Sequence, residues 1–355
     1  YPTGIVTPSL INPELTWEKS TTKNLGFDFT FLQNRLTFCA DIFERKVTDI
    51  LIPGGKDYPA LIGDDNLPFE NAGVLKTTGF ELQAKWSDKL SNGFAYSVGV
   101  ALSDDKAEVL SYPSNPTNKI GDGVLYKGYT VGDIWGYETG GILQESDFDG
   151  VGPNGKPLYH GAYFKGGQPY PGYVWYQDLD HDGVITSGLS TVDDPGDKKV
   201  IGNNAPRYRY NITANFQYKG FDLDLMFQGV GKRDYWLKDV SSYWGGGAGS
   251  WETYNQSWTP ERTDAKFPMY GSGIGSYAQS GYLLDASYIK LKQVILGYTF
   301  PKALIGKVGL EKLRLNIAAY NLFTLSDVPK YYDSDYLSDA YPPKRTFSVG
   351  IQVGF

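Results

Sequence analysis

The sequence predicts an all-β chain that crosses a membrane as part of an antiparallel β-barrel with long extracellular loops. Three observations carry this. Segments of about ten residues alternate apolar and polar side chains through most of the 355 residues, the period of a strand with two unlike faces. The connections between these segments are short and long by turns. The polar set carries charges that would crowd a small closed interior, so it must face a wide aqueous lumen while the apolar set faces lipid.

The first segment sets Leu25, Phe27, Phe29 and Phe31 against Asn24, Gly26, Asp28 and Thr30. After a turn at Gln33-Asn34, Leu36, Phe38, Ala40 and Ile42 oppose Thr37, Cys39 and Asp41. Phe80, Leu82, Ala84 and Trp86 alternate with Glu81, Gln83 and Lys85, and then Phe94, Tyr96, Val98, Val100 and Leu102 alternate with small or polar residues. The fifth, Arg207 to Tyr218, is the clearest, and a tight Lys219-Gly220 turn leads from it to Phe221, Leu223, Leu225 and Phe227. Tyr288 to Tyr298, Leu313 to Phe323 and Arg345 to Phe355 complete the set. In the seventh, the apolar phase slips by one residue at Lys292-Gln293, which predicts a β-bulge.

Short connections follow strands one, three and five. Long ones, about 46–70, 104–206, 231–285 and 324–344, follow strands two, four, six and eight. The connection after strand seven, 301–312, is intermediate and has room for one helical turn. Short turns at one end and long loops at the other are the pattern of bacterial outer-membrane barrels. Nine strands are an odd number, and single-chain bacterial barrels use an even one, so further strands are expected.

Composition agrees. The net charge of -7 argues against nucleic acid as a partner, and 28 tyrosines with 43 glycines favour strands and turns. Cys39 stands alone, so no intrachain disulfide forms, and with two histidines there is no cysteine-histidine zinc cluster. No apolar run approaches the roughly 20 residues of a membrane-spanning helix. The opening YPTG, with neither methionine nor a charged-then-apolar leader, reads as an internal start.

Several stretches then carry a family resemblance. "NPELTWEKSTTKNLGFDF" (12–29), "NAGVLKTTGFEL" (71–82), "YTVGDIWGYETGGILQ" (129–144), "DLDHDGVI" (178–185) and "VIGNNAPRYRYNITANFQYKGFDLDLMFQGV" (200–230) resemble the C-terminal half of SusC/RagA-type TonB-dependent transporters. So do "SYIKLKQVILGYTFP" (287–301), "LRLNIAAYNLFT" (313–324) and "RTFSVGIQVGF" (345–355). The resemblance implies that residues 1–355 are the C-terminal strands of a 22-stranded barrel in the bacterial outer membrane. The plug and the earlier strands would come from elsewhere. It also implies import of an oligosaccharide or peptide beneath a SusD-like lipoprotein lid, powered by the TonB complex acting on the plug. The closing strand, Phe347 to Phe355, looks like the terminal signal of barrel assembly.

Asp178, Asp180, Asp182 and Gly183 match positions one, three, five and six of an EF-hand loop, with the Val184 carbonyl at position seven. Position twelve is Leu189 rather than a carboxylate. In the family this loop reads directly into an aspartate, a basic residue and an "IG" pair. Here "TSGLSTVDDPG" intervenes, which makes Asp197 the first choice to close a Ca2+ site, ahead of Asp193 and Asp194. The alternative is an aspartate-rich turn whose acids bind backbone amides. "DFDG" at 147–150 has too few acids, and His181 is expected to face solvent.

For substrate contact the candidates are Trp135 and Trp175 in the loops, with Arg207 and Arg209 on the presumed lumen face. Tyr137, Tyr173, Trp244, Trp251 and Trp258 belong to the same group of loop aromatics, for which mutual packing is the alternative. Wall ion pairs are the alternative for the arginines and for Asp222 and Asp224. No G-x-S-x-G elbow or H-E-x-x-H is present, and His160 and His181 supply no triad, so no enzyme is expected. The competing reading is a secreted or surface glycan-binding β-rich module stabilised by calcium, which would bury the apolar faces in a soluble core.

Overall fold

A computed structural model describes residues 12–54, 68–236, 254–270, 272, 277–328, 332–337 and 343–355. Among them, nine strands make one antiparallel sheet whose spatial order is the chain order. They are β1 (Lys19–Phe31), β2 (Leu36–Pro53), β3 (Phe69–Lys89), β4 (Ala95–Ser111), β5 (Arg207–Tyr218), β6 (Phe221–Lys232), β7 (Tyr288–Thr299), β8 (Lys312–Ser326) and β9 (Thr346–Gly354).

The apolar phase is continuous from strand to strand. One row runs Phe29, Phe38, Ala84, Val100, Ile212, Phe227 and Leu291, each opposite the next. The expected bulge keeps that row intact. Met226 pairs with Gln293 and Phe227 with Leu291, so Lys292 is the extra residue. Without it, every side chain of β7 beyond this point would turn to the other face.

This face is exposed or half-buried along the sheet. On strands flanked on both sides, Ile42, Val98, Val100, Phe221, Leu296, Leu315 and Ile317 are exposed, Ile42 by 58%. A soluble sheet would cover such a face; a lipid bilayer supplies the missing neighbours. The opposite face is polar, with Asp41, Glu81, Ser103 and Arg209 forming one row. Arg314 of β8 reaches over Gly297 of β7 to bind Asp222 of β6, and Asn215 binds Asp224.

The turns fall at one end. Lys219 and Gly220 both have positive φ, 47° and 87°, as the two-residue hairpin turn that follows the strand twist requires. A side chain at Gly220 would also meet the Thr299 carbonyl oxygen at 2.7 Å. Phe94 lies 5.8 Å from Tyr96 and 6.2 Å from Phe216, while Phe221 lies 4.5 Å from Tyr298. These rings form the aromatic girdle of the turn-side interface.

At the other end the strands run further than the apolar pattern predicts. β2 continues past Ile42 to Pro53, β3 begins at Phe69 and β4 ends at Ser111, so the longest connection is 112–206 rather than 104–206. The 21 residues of β3 reach about 70 Å, nearly three times the roughly 25 Å apolar band of a barrel. The reason lies in the outward phase, which changes from Ile42 to Glu44 and Lys46 and from Phe80 to Thr78 and Lys76. Glu44 pairs with Lys76 at 3.3 Å and with Lys23 at 4.0 Å. The sheet thus leaves the membrane as a charged ladder in water, where apolar alternation is no longer needed to hold a strand.

Candidate functional site

The two longest connections fold together above the sheet. Asp133–Tyr137 pairs with Lys198–Asn203, Thr139–Ile142 with Val174–Tyr176, and Asp234–Trp236 with Leu283–Asp285. The Tyr137 amide donates to the Ala278 carbonyl at 2.9 Å, stitching one connection to the other. Their shared core is Tyr137, Val174, Tyr176, Ile185, Trp236 and Tyr282.

Burial, with the charges of Tyr277 and Asp197 behind it, pushes the Tyr137 phenol from 10.0 up to about 12. The fold therefore prefers the neutral form, so this contribution to stability is whole below pH 10.0 and drains away as pH rises to about 12. Alkaline titration of the intact protein should show a class of tyrosines that ionises only as the loop core opens, read by tyrosinate absorbance. A single normal titration of all tyrosines would contradict this core.

The aspartate loop packs against that core. Asp178 accepts the His181 amide at 2.7 Å and the Gly183 amide at 2.9 Å. Gly183 has φ 85° and His181, which is exposed, φ 62°. Asp197 lies beyond the inserted turn yet is fully buried beside the loop, accepting the Leu179 amide at 2.8 Å and the Thr186 amide at 2.7 Å. Oxygens of Asp178, Asp180 and Asp197 lie within 4.8 Å of one another. Asp182 stands outside this group, its carboxylate accepting the Val184 amide at 2.8 Å, and Val184 pairs in parallel with Tyr163. Asp194 closes the inserted turn instead, accepting from Leu189 at 3.1 Å.

The electrostatics of the group follow from its geometry. Desolvation raises the Asp178 carboxyl, but the Gly183 and His181 amides outweigh it and hold the group below its ordinary value. The Asp182 amide favours the Asp180 carboxylate, yet desolvation and the charges of Asp197 and Asp182 prevail and hold it above. Crowded carboxylates of this kind gain most from a bound cation.

The substrate-contact candidates each also have a partner within the protein. The Trp135 N–H donates to the Tyr126 hydroxyl at 2.9 Å, with the rings edge to face. The Trp175 ring lies on Gly140, where a Cβ would come within 2.3 Å of it. Arg207 grips Asp104 through two bonds of 2.6 and 2.5 Å, and Arg209 binds Asp105. Tyr208 has φ 53°, which breaks the alternation between the two arginines. Arg209 remains on the lumen wall beside a cavity of about 490 Å³ that Asp41, Glu81 and Arg233 also line. Trp258 is buried and donates to Gln144, Tyr173 packs on Tyr170, and Trp244 and Trp251 lie outside the described residues.

A sheet bare on its apolar side, charged within, turned at one end and looped at the other invites comparison with known proteins. The family described as TonB dependent receptor-like, beta-barrel matches residues 1–322. The chain belongs to that family. Its members are barrels of the outer membrane, and the receptor-type relatives agree. The chain is 27% identical to TonB-dependent receptor P3 of Formosa agariphila over 99% of its own length and 36% of the relative's. It is 26% identical to TonB-dependent receptor SusC of Bacteroides thetaiotaomicron, over 98% and 33%. The solved RagAB peptide transporter shares the fold at a TM-score of 0.74 and 21% identity, over 99% of this chain and 37% of that one. The chain thus spans about a third of the relatives it matches.

Two constellations of this receptor chain escape the sequence reading. Asn203, in the "IGNN" stretch, is a hub: its amide donates to Asp234 at 2.9 Å, its side chain donates to Asp133 at 2.8 Å and accepts from Ala205 at 2.8 Å. Lys290 of β7, its side chain 4% exposed, binds Asp333 at 2.7 Å and Asp335 at 2.8 Å. The one signal was a lysine on the lumen phase and two aspartates at alternate positions in a loop 43 and 45 residues away.

Proposed function

We propose that this chain forms part of the wall and the outer mouth of a TonB-dependent importer of a bulky nutrient, an oligosaccharide or a peptide. One observation carries the reading: the apolar phase of all nine strands falls on one face of the sheet and is exposed at Ile42, Val100, Leu296 and Ile317 of the inner strands, while the polar wall opens beneath a folded loop domain. β1 and β9 each have a single neighbour in the sheet, so closure in a bilayer needs strands from the rest of the receptor. The SusC/RagA resemblance supplies the remainder of the proposal. Some 22 strands enclose a plug through which the TonB complex acts, and a SusD-like lipoprotein rests on the loops. Gated passage requires no chemistry on the cargo, and the matched relatives are receptors and transporters.

The test is uptake of labelled oligosaccharides and peptides by cells carrying the intact receptor. Accumulation of one class is expected, abolished by collapsing the proton-motive force, with a lipoprotein copurifying from gently solubilised membranes. Detergent-free solubility of the intact protein would instead favour the secreted glycan-binding reading.

The aspartate loop supports a second proposal, a structural Ca2+ ion. Hard cations take convergent oxygens, and Asp178, Asp180 and Asp197 already bring theirs together. Asp182 and the Val184 carbonyl are the further donors that the EF-hand spacing provides. Calcium should protect segment 178–197 from proteolysis, and Asp180→Asn combined with Asp182→Asn should remove that protection. Protection unchanged in the double variant would refute the site.

A further inference from the structure

We infer that the turn between β7 and β8 is a foot resting in the inner leaflet of the membrane, binding phospholipid at the boundary between headgroups and acyl chains. The turn is built. The Leu304 amide donates to the Pro301 carbonyl at 2.9 Å, the Leu310 amide to Ile305 at 3.3 Å, and Gly309 closes the second turn with φ 76°. Ile305 is buried beneath it, whereas Leu304 and Val308 are 58% and 72% exposed. Leu304 belongs to the α-turn Lys302–Ile305 and Val308 to the 3-10 turn Gly306–Val308 that follows it, so each of the two consecutive turns presents one aliphatic side chain outward. A rigid turn that points one aliphatic residue inward and two outward has an apolar surface awaiting an apolar neighbour.

Its position says which neighbour. The Phe300 ring lies 4.9 Å from Tyr298, and Tyr298 lies 4.5 Å from Phe221. Tyr298 also stands opposite Leu315 in the lipid-facing rows. The foot therefore continues directly from the aromatic girdle that marks the turn-side interface. Its charge says the same. Lys302, Lys307 and Lys312 are exposed against Glu311 as the acid of the stretch, and none of the three forms an ion pair among the described residues. Aliphatic side chains dipping into the acyl boundary, with lysines reaching back to anionic headgroups, make an interfacial anchor.

The experiment uses the intact receptor in vesicles that contain anionic phospholipid, freed of reactive thiols with Cys39→Ser included. Leu304→Cys and Val308→Cys lie at exposed positions, so folding is preserved, and Ser91→Cys in the turn after β3 serves as the aqueous reference. The thiols at 304 and 308 should react with a membrane-impermeant maleimide about an order of magnitude more slowly than the thiol at 91. Fluorophores attached there should be quenched by lipid-borne nitroxides. Rapid labelling would overturn the inference, and so would protection from both reagents, which would mean that protein covers the turn. Lys302→Gln with Lys307→Gln should reduce the anionic lipid retained in native mass spectra severalfold; unchanged retention would remove the electrostatic part.

Discussion

Replacing Val100 with arginine should lower the stability of the receptor in a bilayer by about 2–4 kcal/mol. Val100 is exposed, yet its neighbours across the ladder are Ala84 and Ile212, and it lies midway along β4 between the girdle residue Tyr96 and the charged Asp104. That places it near the middle of the apolar band, where a guanidinium loses its water and finds no partner. Gln83→Arg is the matched control. Gln83 belongs to the polar row of Cys39, Ala101 and Asn211 and borders the lumen cavity, so it should change stability by less than about 1 kcal/mol. Denaturant unfolding in lipid vesicles reads both. Equal losses would mean that the faces are wrongly assigned, and a soluble sandwich would tolerate neither pattern.

The second large effect is expected at Lys290. Its ammonium is nearly inaccessible and neutralises Asp333 and Asp335, which are 17% and 19% exposed; Lys292 stands 3.6 Å from Asp335. Lys290→Met strands two carboxylates in a poorly hydrated place and should cost about 3 kcal/mol, towards the lower end for a buried pair because both acids keep some water. Adding Asp333→Asn and Asp335→Asn should restore most of the loss, since uncharged partners require no counterion. Failure of that rescue would assign the effect to packing.

Acidity offers an independent check on the same network. Burial raises the Asp335 carboxyl, but hydrogen bonds from Lys290 and the Tyr288 hydroxyl, with the charges of Lys290 and Lys292, overcome it and hold the group below the ordinary carboxylate range. A depressed carboxyl lends stability that is complete above its ordinary value and is lost as pH falls through its folded value. Proteolysis of segment 332–337 should therefore accelerate on acidification in the wild type, and Asp335→Asn should flatten that dependence.

How much was legible in advance follows from the range of the forces. Alternation is local: Phe27 and Phe29, or Ile212 and Ala214, announce a two-faced strand with no knowledge of neighbours. A one-residue slip at Lys292 announces a bulge for the same reason, because the phase must be restored within one strand. The connection 46–70 already placed the outer start of β3, but the outer ends of β2 and β4 were not legible, because above the membrane both faces meet water and charged residues hold the ladder without a pattern. Trp135 and Trp175 were legible as loop aromatics, but their use within the loop domain depends on Tyr126 and Gly140.

Composition, alternation and connection length thus determined by themselves a nine-strand membrane sheet, its outward face and its looped end, since each rests on contacts with lipid, water or the next strand. The sequence ranked Asp197 ahead of Asp193 and Asp194, but only the tertiary structure decided which acids meet. Asp197 arrives beside Asp178 and Asp180 because the inserted turn folds back on itself, and Lys290 meets Asp333 and Asp335 because β7 and a distant loop share the lumen mouth. Long-range charge pairing leaves no period in a sequence, because the residues between the partners are free to vary in number as long as the chain can close.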